Sequence, residues 1–127
     1  MGEQIKIMFV DDEQIMRDGL RLTVDWESYG FQVLGSASNG EKALQLCEAD
    51  PPDIMVTDIR MPVMDGLELT KHLVERYPAM KIIILSAYDD FKYAQTAISY
   101  GAHAYVLKAE LELDHLLALA LRLGKEI

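Results

Sequence analysis

Ile54-Met55-Val56-Thr57-Asp58 is the stretch that decides the fold, because a short apolar run ends on an acid. Three further apolar runs each end on a charged or hydroxyl residue: Ile5–Val10 before Asp11 and Asp12, Ile82–Leu85 before Ser86, and Ala104–Leu107 before Lys108. If the runs are parallel strands of one sheet, their carboxyl ends share the edge where ligands of open α/β sheets bind. We therefore expect three carboxylates, a hydroxyl and an ammonium to face one crevice.

Segments with helical periodicity alternate with these strand-like runs, which is typical of βα units on a parallel sheet. A second strand is predicted over Phe31–Ser36, where polar residues suit an edge position. Asp65, with Glu68 three residues later, forms a capping-box pattern and predicts the start of the third helix. The fourth and fifth helices are predicted over Asp90–Tyr100 and Glu112–Leu123.

Composition limits the classes of function. A chain of 127 residues fits one domain with one hydrophobic core. Its net charge of −9 argues against binding nucleic acid unaided, because phosphate binding needs a basic face. The lone Cys47 excludes an internal disulfide and favours a reducing, cytoplasmic location. No apolar run is long enough to span a membrane, and we expect no membrane contact.

The predicted crevice has a definite chemistry. Asp11, Asp12 and Asp58 would repel one another unless a cation lies between them. Oxygen ligands supplied by few protein groups indicate Mg²⁺, which keeps several waters. Asp58 stands alone in the middle of the edge, so it is the predicted nucleophile that would hold a phosphoryl group as an acyl phosphate. Lys108 would neutralise charge, and the Ser86 hydroxyl would donate to a phosphoryl oxygen.

These residues resemble the receiver domain of bacterial two-component response regulators. The resemblance covers about residues 5–123 and rests on four motifs: Asp11-Asp12, Asp58 with Met61-Pro62-Val63-Met64-Asp65-Gly66, Ser86-Ala87, and Tyr105-Val106-Leu107-Lys108. It implies a single doubly wound, flavodoxin-like (βα)₅ domain whose parallel five-stranded sheet has the strand order 2-1-3-4-5.

The resemblance also implies a cofactor and a partner. Asp58 would take its phosphoryl group from a cognate histidine kinase. Asp12, Asp58 and the backbone carbonyl of Arg60 would bind Mg²⁺ directly, with Asp11 close by through water.

A switch is implied as well. Ser86 and Lys108 would hold the phosphoryl group, and Tyr105 would turn inward as the Ser86 hydroxyl moves toward it.

One position departs from the family pattern, which places a proline after the lysine, joined by a cis bond. Ala109 follows Lys108 here. A cis bond before a residue other than proline costs about 3–4 kcal/mol. Either this bond is trans and Lys108 sits slightly differently, or the surrounding structure imposes the strain.

Two stretches, Asp25–Phe31 and Ser86–Ala94, resemble receivers of YesN-like regulators, which usually carry an AraC-type DNA-binding domain downstream. We therefore expect residues 1–127 to be a receiver domain from the N-terminal part of a longer transcriptional regulator. DNA would be bound only through that further domain. A free-standing receiver is the alternative.

A homodimer through helix 4, strand 5 and helix 5, strengthened by phosphorylation, is a further expectation. Helix 4 is predicted to bury Phe91, Ala94 and Ile98, leaving Tyr93 and Tyr100 on another face. Helix 5 carries more leucines than one buried stripe requires. The excess predicts an exposed apolar patch, which usually marks a partner site. Alternatively, these leucines pack against a further domain or are simply tolerated.

Two rival functions need residues that the sequence does not supply. A Mg²⁺ phosphatase of the haloacid dehalogenase type needs an acid two residues after its nucleophile, where Arg60 stands. A flavin-binding module needs a phosphate-binding loop rich in Ser, Thr and Gly after strand 1, where the acids 11–13 would repel phosphate. The sequence favours a signalling switch, which catalyses only its own phosphoryl transfer and dephosphorylation.

Overall fold

The computed structural model describes residues 4–87 and 91–127, with only the backbone of Glu110. Strands and helices alternate along it. Their bounds are β1 Ile5–Val10, α1 Gln14–Thr23, β2 Phe31–Ala37, α2 Gly40–Ala49, β3 Ile54–Thr57, α3 Gly66–Arg76, β4 Lys81–Ser86, α4 Phe91–Ser99, β5 Ala104–Leu107 and α5 Leu113–Gly124. Single 3-10 turns lie at Trp26–Tyr29 and Lys108–Glu110.

All neighbouring strands are parallel, and the sheet order is β2-β1-β3-β4-β5, which confirms the predicted topology. From β1 the chain moves outward to β2 at one edge of the sheet, and from β3 it moves outward to β4 and β5 at the other edge. The direction of the connections therefore reverses between the adjacent strands β1 and β3. Such a switch point opens a crevice outside the carboxyl ends of the strands. The residues that follow β1 and β3 are Asp11 and Asp58.

Alternation along the strands builds two cores, one on each side of the sheet. Ile7 and Phe9 belong to the core beneath α1 and α5, which Trp26 completes. Met8 and Val10 belong to the core beneath α2, α3 and α4. Cys47 of α2 is buried in this second core, and burial raises the pKa of its thiol to about 11.

Side-chain caps mark the starts of two helices on the second side. The Asp65 carboxylate accepts a hydrogen bond from the Glu68 backbone N–H at 2.8 Å, which confirms the predicted start of α3. Asn39 accepts likewise from the Lys42 backbone N–H at 2.9 Å, at the start of α2. Both caps satisfy amide groups that lack partners within the helix.

The predicted core face of α4 is wrong. Phe91 is 77% exposed and Ile98 is 51% exposed, whereas Ala97 is fully buried and Tyr93 packs against the core. Helix α4 carries apolar residues on both faces, so their spacing alone does not set its rotation. Burying the small Ala97 lets the helix lie close to the sheet, while the Tyr93 ring covers a larger area. The predicted first residue, Asp90, lies outside the described residues.

The excess leucines of α5 do not form the expected exposed patch. Leu116, Leu117 and Leu123 are buried. Leu113, Leu119 and Leu121 are half-buried and pack against the core beneath α1 and α5. Helix α5 packs closely enough against the sheet to bury a broad part of the helix surface. The buried face is therefore wider than the single stripe expected from the sequence. Phe91 and Ile98 are the exposed large apolar side chains on α4.

Candidate functional site

Two buried carboxylates and one lysine meet at the carboxyl edge of the sheet. The Lys108 Nζ lies 2.7 Å from Asp11 Oδ2 and 3.1 Å from Asp58 Oδ2. Asp11 is 1% exposed and Asp58 is 6% exposed. The acids follow neighbouring strands and the lysine follows β5, so the sheet brings together residues that are far apart in sequence. The predicted convergence of Asp11, Asp58 and Lys108 is therefore observed.

Lys108 reaches this position through a trans peptide bond to Ala109, because no peptide bond within residues 4–87 and 91–127 is cis. The chain enters a short 3-10 turn directly at Lys108. The bond is therefore trans, the first of the two alternatives, and the Lys108 ammonium lies beside Asp58 with alanine at the next position.

Backbone contacts orient Asp58. Its Oδ1 accepts a hydrogen bond from the Ile59 N–H at 2.8 Å, and its carbonyl oxygen accepts one from the Thr57 hydroxyl at 2.9 Å. The Gly66 N–H donates to the Ile59 carbonyl at 2.7 Å, which brings the start of α3 against the site. A β-carbon at Gly66 would collide with the Asp58 carbonyl oxygen, so only glycine fits there.

Burial and charge act in opposite directions on Asp58. Burial raises the pKa of Asp58, the Lys108 ammonium opposes the rise, and the negative charge of Asp11 adds to it. Burial also acts to lower the pKa of Lys108, but hydrogen bonds and charge from Asp11 and Asp58 outweigh it and raise that pKa. Lys108 is therefore held as a cation against two acids in a poorly hydrated site.

A third acid, Glu13, extends the site. Ligand oxygens of Asp11, Asp12 and Glu13 all lie within 4.8 Å of one another, and Glu13 Oε1 lies 3.9 Å from Lys108 Nζ. Asp12 and Glu13 are exposed, while Asp11 is buried. This set of oxygen donors fits a hard divalent cation that keeps part of its water shell. A ligand role for Glu13 was not predicted, although three successive acids after β1 are consistent with one.

The other predicted residues lie on, or just after, the strands β3, β4 and β5. Ser86 ends β4 with a fully buried side chain. Arg60 is exposed in the loop two residues after Asp58. Tyr105 is half-buried on β5 and packs against the core beneath α2, α3 and α4. Its ring also lines a groove of about 550 Å³ between α4, β5 and α5, shared with Phe91 and Leu119.

No helix in the described part of the chain combines the length and the apolarity that crossing a bilayer requires.

Comparison with known proteins identifies the family. The family model described as the response regulator receiver domain matches residues 7–120. The uncharacterized transcriptional regulatory protein YesN of Bacillus subtilis (strain 168) is 42% identical over 103 residues, which cover 81% of this chain and 28% of that protein. The transcriptional regulatory protein DegU of Brevibacillus brevis is 37% identical over 114 residues, covering 90% of this chain and 48% of that protein.

Solved structures agree with these matches. The receiver domain of AraT, a response regulator from Geobacillus stearothermophilus, superposes with a TM-score of 0.86 at 34% identity, covering 96% of this chain and 94% of that one. The receiver domain of the putative response regulator NarL from Mycobacterium tuberculosis gives 0.89 at 26% identity, covering 99% and 100%.

The chain spans about a quarter to a half of the length of these curated relatives. The family model and the relatives match most of the chain, and the superposed receiver domains share its fold. The chain belongs to the receiver domain family of two-component response regulators.

Proposed function

We propose that Asp58 accepts a phosphoryl group from a histidine kinase and that this modification switches the output of a longer transcriptional regulator. The observation that carries the assignment is the pair of contacts from Lys108 Nζ to Asp58 Oδ2 and Asp11 Oδ2, at 3.1 and 2.7 Å. A nucleophilic carboxylate beside a fixed cation suits phosphoryl transfer, which depends on positioning and on charge neutralisation.

The two oxygens of Asp58 have different surroundings. Because Oδ1 is held by the Ile59 N–H, we assign Oδ2 as the attacking oxygen. A bond forms from Oδ2 to phosphorus while the bond from phosphorus to the kinase histidine nitrogen breaks, and its electron pair stays on that imidazole. The Lys108 ammonium exchanges its contact with a carboxylate oxygen for a contact with a phosphoryl oxygen. The Ser86 hydroxyl donates a hydrogen bond to a second phosphoryl oxygen.

Asp12 and Asp58, with the Arg60 carbonyl, are the proposed Mg²⁺ ligands, and Asp11 and Glu13 stand close by. Mg²⁺ bound there would offset negative charge on the phosphoryl oxygens. The protein is not a metabolic enzyme in this proposal: it supports only its own phosphorylation and the hydrolysis that ends it.

Output is proposed to pass through α4, β5 and α5. Tyr105 lines the groove between these elements and packs on the core side of β5. A rotation of its ring reshapes a surface that already exposes Phe91. We propose that this surface forms a homodimer, and that DNA is bound by a segment outside the present sequence, as the names of the relatives suggest. The family and the buried thiol of Cys47 support a cytoplasmic location.

Intact mass tests the assignment directly. Incubated with phosphoramidate and Mg²⁺, the wild-type chain gains one phosphoryl group and Asp58→Asn gains none. The matched control Asp25→Asn, which changes an exposed acid elsewhere, gains one as the wild type does. Labelling of Asp58→Asn to the wild-type level overturns the proposal.

A further inference from the structure

A second polar recess lies beside the edge strand, away from the carboxylates of the phosphoryl site. Its volume is about 460 Å³, and it opens where β2 ends, between α1 and α2. Five polar residues line it: Arg17, Ser36, Ser38, Lys42 and Gln45. Each of their side chains carries at least one hydrogen-bond donor.

The recess is basic in an acidic protein. The chain has 21 acidic and 12 basic side chains, yet none of the described residues that line this recess carries a carboxylate. Within residues 4–87 and 91–127, no carboxylate oxygen lies within 4.0 Å of the Arg17 guanidinium or the Lys42 ammonium. By contrast, Lys6, Arg21 and Lys81 each lie within that distance of an acid. Two cations without acidic partners therefore face one concavity.

Local structure holds the side chain of Arg17 and the backbone of Lys42. Arg17 is half-buried, and its Nη1 donates to the Asp11 carbonyl at 2.6 Å, which uses one of the five N–H groups of the guanidinium. Lys42 lies in the first turn of α2, where its backbone N–H is bound by the Asn39 cap. Because these elements are fixed by the fold, part of the ordering cost of binding is already met.

We propose that this recess binds a tetrahedral phosphate dianion, either free phosphate or the phosphate group of a small phosphomonoester. A guanidinium, an ammonium, two hydroxyls and an amide offer more donors than the two oxygens of a carboxylate accept. A phosphate presents three or four oxygens to such a set, and arginine suits it particularly. The Arg17 contact with Asp11 places the recess next to the phosphoryl site without sharing its carboxylates.

Nuclear magnetic resonance of the whole chain in Mg²⁺-free buffer tests the site. Inorganic phosphate is titrated against sodium chloride of equal ionic strength, and backbone amide shifts are followed. We expect the amides of Ser36, Ser38 and Lys42 to shift saturably with phosphate and not with chloride. Lys42→Gln should weaken binding about tenfold, the size of one charge-assisted hydrogen bond. Arg122→Gln, an exposed cation of α5, serves as the control for net charge and should leave binding unchanged.

A parallel titration with glycerol 3-phosphate separates the two sources. Tighter binding of the ester assigns the site to a phosphomonoester, and binding no tighter than inorganic phosphate assigns it to the free anion. The proposal is overturned if phosphate gives only the shifts that chloride gives, or if Arg122→Gln weakens binding as much as Lys42→Gln. Tighter binding of a polyglutamate peptide than of either phosphate also overturns it, in favour of an acidic protein partner.

Discussion

Gly66 lies against the carbonyl oxygen of Asp58 so closely that a side chain has no room. Gly66→Ala should therefore lower the free energy of unfolding by about 1–3 kcal/mol, the usual cost of overpacking. Urea denaturation measures it. Gly19→Ala is the matched control, because nothing lies within 4 Å of the position of its β-carbon in α1. That change should stabilise the protein by about 0.5–1 kcal/mol. Equal stability of the two variants would contradict the close approach.

The buried charge of Asp58 should cost stability at neutral pH. Burial raises the pKa of Asp58, the charge of Lys108 lowers it, and the charge of Asp11 raises it further. As pH falls, the folded chain therefore binds this proton at a higher pH than the unfolded chain does. The free energy of unfolding then falls as pH rises from the ordinary value of 3.8 through the raised pKa.

Asp58→Asn should consequently be more stable than the wild type at pH 7 in Mg²⁺-free buffer, by roughly 1 kcal/mol, a common size for one substitution. The gain should vanish at a pH below both pKa values. Asp25→Asn gives the baseline for an exposed acid. A loss of stability in Asp58→Asn at pH 7 would show that the ion pair with Lys108 outweighs burial.

Mg²⁺ should stabilise the folded chain through the acidic cluster. At a concentration 100 times the dissociation constant, the gain is about 2.7 kcal/mol, and it is read as a rise in melting temperature. Asp12→Ala should lose most of this response, while Asp25→Ala keeps it. Ca²⁺ and sodium chloride controls separate ligation from screening. An unchanged response in Asp12→Ala refutes its role as a ligand.

His103 should make stability fall in mild acid. Its Nδ1 accepts a hydrogen bond from the Ile82 N–H at 3.1 Å, which only the neutral ring can do. Burial lowers the pKa of His103, the charge of Lys81 lowers it further, and Glu126 opposes both. As pH falls, the unfolded chain binds this proton at a higher pH than the folded chain does. The free energy of unfolding therefore declines as pH falls below 6.5 toward the lowered pKa.

The contribution of His103 must be read as the difference in the free energy of unfolding between the wild type and a variant. Asp58 changes the stability of both proteins in the opposite direction as pH falls. His103→Asn should show a smaller loss of stability than the wild type between pH 6.5 and lower pH. His115→Asn, an exposed histidine of α5, should follow the wild type. Identical curves for all three proteins would remove His103 from the account.

The α4-β5-α5 surface should associate when Asp58 is modified. Sedimentation velocity with beryllofluoride and Mg²⁺, which mimic the acyl phosphate, should show a dimer that the unmodified chain forms more weakly. Phe91→Asp should weaken it about tenfold or more, as loss of an aromatic anchor does. Ile15→Asp replaces another highly exposed apolar side chain, on α1, and should have no effect. A monomer in both states at high concentration defeats the dimer proposal.

The strand ends were predictable because strands of a sheet that helices cover on both faces are largely apolar, so the first charged residue after each apolar run marks the edge. Asp58 after the buried strand β3 and Lys108 after the half-buried strand β5 were located in this way. The start of α3 was equally accessible, because a capping side chain acts within one turn of chain.

The features that the sequence did not predict depend on packing between elements that are far apart in the chain. The orientation of α4 follows from how Tyr93 and Ala97 meet strands distant in sequence, so the apolar spacing of Phe91 and Ile98 was misleading. The contact of Glu13 with Lys108 was missed for a related reason. It joins residues that only the sheet order brings together.

The burial of Cys47 also makes the protein unusually convenient for site-specific labelling. Because burial raises the pKa of its thiol to about 11, very little thiolate forms at neutral pH, and the sulfur is covered. Maleimide dyes and thiol-reactive spin labels should therefore not react with Cys47 while the protein is folded. Two cysteines introduced at exposed sites, one of them at Ile98, could then report distance changes between α4 and the second position, with no need to remove Cys47.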